Sequence, residues 1–483
     1  MPSSSSTSSK DTQQSEHSSN SDEQDLTQGS LIKHIFRLAL PMIFGIMAVF
    51  SVSIVDTYFV GQLGTMPLAA LSFTFPVTMA IASLASGLGA GASSMVSRAT
   101  GADEADDAKR YATDSLLLAT VFVIIISALG YATITPLFTL LGADENILPL
   151  IRDYMEVWYI SMPFLVIPIV ANAIIRSLGN ALWPSIIMFI TALINVILTP
   201  LFINGFAING YFDIPAMEIR GAAVATTIAR ISTFVLALYV AIYREKIVLL
   251  CRPSLAVFVK SAKSVLQIAL PAGAGSIVNP IGIGIVTAVL AAYGAQTVAA
   301  FGVATRIESF ACIPMLALSA VVGPIVGQNW GAGQTKRVLR TLQFCYLLCI
   351  VWTLMLALVF YLFAENLTII LASNQEVADI STQYLYVVAL SLVGFGWIIV
   401  SSAAFNALGR SISGLSFYIV RSFIFYVPLS VLASLWAESE WVFIAIAVSN
   451  LGAGILVASY AMFWLKKAKR NDTEPNWRLQ SEH

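Results

Sequence analysis

Apolar runs of about 20 residues, long enough to cross a hydrocarbon core as a helix, recur along the whole chain. They lie near 35–60, 68–96, 112–134, 155–175, 184–204, 220–243, 264–290, 298–326, 340–363, 381–405, 411–434 and 441–465. Their length and lack of strict alternation predict twelve helices rather than strands. The polar segments between them set the orientation. Lys33, Arg37, Arg98, Lys109, Arg110, Arg176, Arg244 and Lys246 fall on one side, with Arg252, Lys260, Lys263, Lys336, Arg337, Arg340, Arg410 and the cluster Lys466 to Arg470. The other side holds Arg152, Arg220 and Arg306, and acids such as Asp144, Glu218, Glu365 and Glu438. Positive residues mark the cytoplasmic side, so both chain ends are expected in the cytoplasm. The asymmetry also checks the span count, because one missed helix would scramble it.

The pattern repeats within the chain at a constant offset. Leu40-Pro41 recurs as Leu270-Pro271. At the same offset Gly64 meets Gly294, Gly101-Ala102 meets Gly331-Ala332, Tyr154 meets Tyr384 and Leu178-Gly179 meets Leu408-Gly409. Six spans separate equivalent points, and six is even, so the halves are parallel repeats about an axis along the membrane normal. The expected fold is an all-α polytopic membrane protein with twelve transmembrane helices in two six-helix lobes. These are residues 31–245 and 264–470, joined by a cytoplasmic linker at 246–263. Such an arrangement places a cavity between lobes and favours a transporter over a receptor. Residues 1–30 are almost devoid of apolar side chains and lack the apolar core of a signal peptide. They read as a disordered cytoplasmic tail, as does 471–483.

Composition narrows the class. Hydrophobic residues make up 58% of the chain and charged residues 11%, against about 25% charged in a soluble domain. With a net charge of −1, no basic surface suggests nucleic acid. The four cysteines form no metal or redox motif, and Cys345 and Cys349 share a helix face and read as packing. His17, His34 and His483 all lie outside the bilayer core. A histidine proton relay is excluded, and any proton coupling must run through carboxylates. A membrane enzyme would need clustered histidines, cysteines or acids near an interface, and none appears. No cofactor is expected.

Chemistry should therefore sit with the few polar groups at membrane depth. Asp56, in FSVSIVDTYFVG, lies well inside the first span, where a charge costs about 2.5–3.5 kcal/mol to insert. It reads as a cavity-facing carboxylate that binds a proton or cation, or as the partner of a polar neighbour. Desolvation disfavours the charged form of a carboxylate, which suits a proton exchanger. In the fifth span, ITALINVILTPLF carries Thr191, Asn195 and Thr199 on one face. Asn195 reads as a site residue. Thr199 can instead bond a backbone carbonyl four residues back. Arg306 and Glu308 open the eighth span in GVATRIESF, and Asn279-Pro280 interrupts the seventh. Each admits structural pairing or function. Arg230 and Arg421, near mid-span, read as internal counter-ions or snorkelling side chains.

With these features in place, the chain resembles the multidrug and toxic compound extrusion (MATE) family. The similarity lies in LALPM with VDTYFVGQLGTMPLAALSF, in SMVSRATGAD with its partner IVGQNWGAGQ, and in NAIIRSLGN with FNALGRS, and it covers roughly 31–465. The resemblance implies two six-helix lobes and export of cationic or amphipathic organic compounds against protons or sodium. It also implies a coupling site in the first lobe at Asp56, Tyr154, Asn172, Asn195 and Thr226. Thr199, counted with this coupling site, stands where many members carry a second Asp, and the tenth span has no acid. Asp56 is left as the strong first-lobe carboxylate, with second-lobe candidates Asn279, Arg306 and Glu308. No metal is expected beyond a sodium ion admitted at Asp56, and the loss of the second Asp tilts the reading toward protons. The expected partners are organic cations and the lipid bilayer of the plasma (inner) membrane, and the expected state is a monomer. The alternative is a lipid-linked saccharide flippase on a related scaffold. That reading requires Arg230, Arg306 and Arg421 to converge on a central cavity, because a phosphate needs several donors.

Overall fold

The computed structural model describes residues 25–63, 65–208, 212–249, 254–372, 374–436 and 438–470. The first three spans are continuous helices, Leu31–Gln62, Thr65–Gly101 and Ala105–Ala132. The fourth is a pair, Leu148–Ser161 and Pro163–Ser177, bent by 43°. The fifth, Leu182–Asn204, leads through an antiparallel hairpin of Phe206–Ile208 with Phe212–Ile214 to the sixth, Glu218–Tyr239. The seventh, Leu255–Leu290, opens the second half. The eighth is Ala295–Ala311 followed by Ile313–Gly331, and the ninth is Thr335–Leu371. Gln375–Ala407, Ser411–Ala433 and Glu440–Arg470 complete the set.

Prolines explain two of the breaks. Proline lacks an amide hydrogen and crowds the preceding turn, and Pro163 and Pro314 each open the second piece of a broken span. The tenth span has no proline there and tightens instead into a 3-10 turn, Ala389–Ser391. This turn is the repeat counterpart of positions 159–161, which end the first piece of the fourth span. The eleventh span winds into a π turn at Val420–Tyr426 just before Pro428.

The two cores interlock. One apolar cluster belongs to the first six spans and the other to the last six. Yet Ile35, Leu38 and Ala39 of the first span pack in the second core, while Val265, Ile268 and Ala269 of the seventh pack in the first. These triplets are repeat counterparts, position for position. A boundary at 245 or 264 therefore does not separate two independent bodies.

Small residues bring the lobes together. In lipid, helices associate by close packing rather than by excluding water. A Cβ on Gly87 would sit 2.7 Å from the Gly273 nitrogen, and one on Gly91 2.6 Å from the Val265 carbonyl. Where the second and eighth spans cross, three contacts obey the repeat. A Cβ on Gly101 would lie 1.9 Å from the Gln328 oxygen, and one on Gly331 2.0 Å from the Arg98 oxygen. Between them, a Cβ on Gly327 would fall 1.9 Å from Ser97 Oγ. Ser97 and Gly327 are themselves repeat counterparts, so the pseudo-twofold axis passes through this crossing. It lies at the basic end of the bundle, where the lysines and arginines gather.

Two sequence expectations change. The linker at 246–263 is helical from Leu255, where the Ser254 side chain caps the Val257 amide. The tail expected at 1–30 ends earlier than residue 30, because Leu26 is fully buried. Its amide donates to Gln328 Oε1 at 3.0 Å, and its carbonyl accepts from Asn329 Nδ2 and Arg337 Nη2, each at 3.1 Å. Arg337 also donates to the carbonyls of Gln28 and Gly29. Gln328 Nε2 reaches across to the Ser177 carbonyl of the first lobe at 2.9 Å. Composition averaged over a polar segment cannot register one leucine with a socket. Residues 1–24 and 471–483 lie outside the described residues.

The crossing gives a test. Gly101→Ala must push the second and eighth spans apart at the basic end. With an overpacking cost of about 1.4 kcal/mol, maleimide labelling of a cysteine at buried position 94 (Ser94→Cys) should rise about tenfold. Gly284→Ala, which meets nothing within 4 Å, should leave the rate unchanged.

Candidate functional site

The first-lobe group is built where the first, fifth and sixth spans meet. Thr199 Oγ1 lies 3.0 Å from Asp56 Oδ1, where it donates, and 3.3 Å from Asn195 Oδ1. Asn195 Nδ2 donates to Thr226 Oγ1 at 3.1 Å. Asn195 and Thr199 are almost wholly buried, and Asp56 is half-buried. Thr199 thus does not spend its hydroxyl on its own helix, as a lone threonine in an apolar span can do. Thr191 does: it bonds the Ile187 carbonyl and pairs with Thr233, away from Asp56. One helix face therefore divides between a site and a structural brace.

Two other expected residues stand outside this network. Asn172 is buried with its Oδ1 lacking a hydrogen-bond partner. Such an orphaned acceptor is costly unless a ligand or water meets it. Tyr154 packs against the first core, within electrostatic reach of Asp56 and Arg230. Arg230 donates to Ser161 Oγ at 2.8 Å and lies over the Trp158 ring. It forms no ion pair with Asp56. The group can supply oxygens from Asp56, Asn195, Thr199 and Thr226 to a proton or a small cation. Among the described residues no three His, Cys, Asp or Glu side chains gather as a metal site.

The second-lobe group surrounds a cavity of about 190 Å³ lined by Asn279, Glu308, Tyr384, Arg421 and Tyr426. Tyr384 donates its hydroxyl to Glu308 Oε2 at 2.6 Å. Arg421, buried in the π turn, donates to Asn450 Oδ1 at 3.0 Å and to Asn279 Oδ1. The rings of Phe395 and Tyr426 face its guanidinium. Arg306, which the sequence left open between pairing with Glu308 and function, is exposed and forms no ion pair among the described residues. Residues two apart on a helix face different ways.

Between the lobes lies another cavity, of about 270 Å³. Its walls obey the repeat: Gly89 with Ser319, Ala90 with Ala320, Ser93 with Gly323, and Ala173 with Ala403. The same offset relates two polar residues on it, Arg176 and Asn406. Arg176 is its one charged lining residue, and no acid among the described residues lines it. Sequence reasoning counted Arg176 only as a basic residue marking the cytoplasmic end of the fourth span. Only the repeat alignment, which sets it against a neutral Asn406, singled it out. Arg230 and Arg421 sit in opposite lobes and Arg306 is exposed, so these three do not converge.

The family model MatE matches residues 41–201 and again 271–432. The chain is 36% identical over 421 residues to the FAD transporter of Shewanella oneidensis, covering 87% of this chain and 92% of that protein. It is 25% identical over 451 residues to the probable multidrug resistance protein YpnP of Bacillus subtilis, covering 93% and 99%. It is also similar to the solved structure of the Vibrio cholerae MATE transporter VcmN in the bent form. There the TM-score is 0.83 and the identity 30%, over 92% of this chain and 98% of that one.

The Thr199 hydroxyl is the joint of the first-lobe network. Thr199→Val leaves Asp56 short of its donor and removes the neighbour of Asn195 Oδ1, at a cost of about 1–3 kcal/mol. The unfolding midpoint of the purified protein should fall, and Thr199→Ser should restore it.

Proposed function

We propose that this chain, which belongs to the MATE family of membrane transporters, exports an anionic aromatic compound of the flavin dinucleotide class by alternating access. Export is driven by protons taken up at Asp56. The family's members are transporters rather than enzymes, and this chain is an integral membrane protein. The observation that carries the substrate is the inter-lobe cavity, hydroxyl-lined, with Arg176 as its single charge and no acid. A guanidinium presents a planar fork of donors to phosphate oxygens, and serine hydroxyls add neutral donors and acceptors. The relative named as an FAD transporter supports the same class. At about 270 Å³ the cavity is below the usual ligand range of roughly 300–1,000 Å³. Loading then requires the lobes to part at the basic end, which in this reading faces the cytoplasm.

Coupling follows from differential binding to two states. Asp56 is the carboxylate of the first-lobe network, and its partners Thr199, Asn195 and Thr226 are neutral. A proton changes the charge of that network from −1 to 0, and repacking among the first, fifth and sixth spans would carry the change to the cavity wall. Sodium would need the same oxygens with only one carboxylate among them, which favours the proton. The site is complete within one chain, in keeping with a monomer in the inner membrane with both ends in the cytoplasm.

A second reading, export of organic cations, rests on the relatives named for multidrug resistance and on the second-lobe cavity, where Glu308 lies with Phe50, Phe395 and Tyr426. Aromatic faces and a carboxylate suit a cation. The saccharide flippase gains no support, because its three arginines stand apart.

In proteoliposomes with ΔpH and a sodium gradient imposed separately, ΔpH alone should drive transport. Asp56→Asn should abolish it while leaving the unfolding midpoint near that of the parent. Transport of Asp56→Asn at the parental rate would remove Asp56 from coupling. Flavin adenine dinucleotide and a cationic dye should separate the substrate readings. Arg176→Gln should cut flavin transport at least about tenfold, the worth of one charged hydrogen bond, and spare the dye. Dye transport without flavin transport in the parent protein would favour the cation reading.

A further inference from the structure

A second cavity between the lobes lies at the basic end, one turn beyond the inter-lobe cavity. It has a volume of about 460 Å³ and is lined by Arg98 of the second span, Ser264 and Gln267 of the seventh, and Gly409, Arg410 and Ser411 at the start of the eleventh. A plug separates the two spaces: Ser94 Oγ donates to the carbonyls of Asn406 and Ala407 at 2.8 and 3.1 Å. We propose that this second cavity binds a phosphate group, carried either by an anionic phospholipid or by a soluble phosphate.

Three observations carry the proposal. The first is Arg98. It is 2% exposed, and no carboxylate among the described residues pairs with it. Its Nε donates to the Ser94 carbonyl at 3.1 Å and its Nη2 lies 2.9 Å from the Met95 sulfur. Its Nη1 makes no hydrogen bond among the described residues. It lies where a Cβ on Gly409 would be 2.8 Å away, and Gly409 adopts φ +76°. Glycine both tolerates that backbone and makes room for the guanidinium. An unpaired buried cation is costly, and a bound anion removes the cost.

The second observation is what else faces the space. Arg410 is held over the Trp464 ring, its guanidinium carbon 4.4 Å from the centroid. Ser411 opens a helix whose preceding residue provides no side-chain cap, so the first amides of that helix are open to an anion. The polar lining consists of arginines, serines and Gln267, with no acid among the described residues.

The third comes from the repeat. Arg98 corresponds to Gln328, Ser264 to His34, and Arg410 to Asn180, each at the common offset. Around Gln328 and His34 the equivalent space is filled by residues 26–29. There Gln328 binds the Leu26 amide, and His34 Nε2 lies 2.6 Å from the Gln28 carbonyl. In the second half the residues equivalent to 26–29 are the first turn of the seventh helix, which starts at Leu255, so the chain does not fill its own socket. One socket takes peptide groups on Gln328, Asn329, His34 and a single cation, Arg337. Its mate, with two arginines instead, is built for a ligand with more negative charge. Because its walls come from both lobes, the ligand would brace the closed basic end.

Full-length protein in neutral detergent should show a higher unfolding midpoint in sodium phosphate than in sodium chloride of equal ionic strength, by about 2 °C or more near saturation. Nanodiscs containing phosphatidylglycerol, compared with pure phosphatidylcholine, test the lipid source. A shift in the first arm alone assigns a soluble phosphate, and a shift in the second alone a lipid headgroup. Arg98→Gln and Arg410→Asn, which install the counterpart residues, should each abolish the shift, while exposed Lys467→Gln should keep it. If Arg98→Gln does not fold, Arg410→Asn decides alone. No shift in either arm, or a shift that survives Arg410→Asn unchanged, overturns the proposal.

Discussion

The rest of the molecule hangs on the crossing of the second and eighth spans, where Gly327 meets Ser97 on the pseudo-twofold axis. Lipid is as apolar as a leucine side chain, so two helices gain little from hiding apolar surface from it. They gain from approaching closely enough for many atoms to touch. Gly101 and Gly331 permit that approach on either side of the axis, each against a carbonyl of the other helix. The crossing closes the basic end. Above it the helices diverge around the hydroxyl-lined cavity, and on its flanks lie the two sockets, one filled by Leu26 and one lined by Arg98 and Arg410.

Duplication built the frame, and chemistry sits where the copies differ. Arg176 faces Asn406 across the cavity, and Arg98 stands where the other half has Gln328. Thr191, a structural brace to Thr233, corresponds to Arg421, the buried cation of the second lobe. Even the acids are not equivalent: Asp56 comes from the first span and Glu308 from the eighth. Tyr154 and Tyr384 are the same position, yet only Tyr384 donates to its lobe's acid, at 2.6 Å. A symmetric scaffold with asymmetric charge lets the two lobes respond differently to one ion.

The spans, their number and the repeat were legible because lipid demands long apolar helices and duplication leaves equal spacing. Asp56, Asn195 and Thr226 were legible through resemblance, and the structure joins them through Thr199, which sequence alone left undecided between Asp56 and its own backbone. The sequence left Arg306 open between pairing with Glu308 and function, because adjacency in sequence is not adjacency on a helix. The role of Leu26 was hidden because its partners lie in the other half of the chain, on the eighth and ninth spans. Arg176 was hidden in plain sight. A basic residue at a helix end marks orientation, and nothing local tells whether it turns to solvent or into a cavity.

The interlocked cores limit how the lobes can move. The basic half of the first span belongs to the second core, through Ile35, Leu38 and Ala39. Its other half belongs to the first lobe: Asp56 accepts from Thr199, and Val60 packs with Ile203 and Ala222. The seventh span mirrors this, with Val265 and Ile268 in the first core and Val286 and Leu290 in the second. Rigid lobes rocking about the axis would tear both helices between two anchors. The strain has to be absorbed within the helices, at the place where each passes from one core to the other. Pro41 and Pro271 lie close to those places, inside otherwise continuous helices. Each removes one backbone hydrogen bond, so bending there costs less than elsewhere along the span. A change at Asp56, well beyond Pro41 on the same helix, then acts on the far arm of a lever whose near arm is held in the opposite lobe.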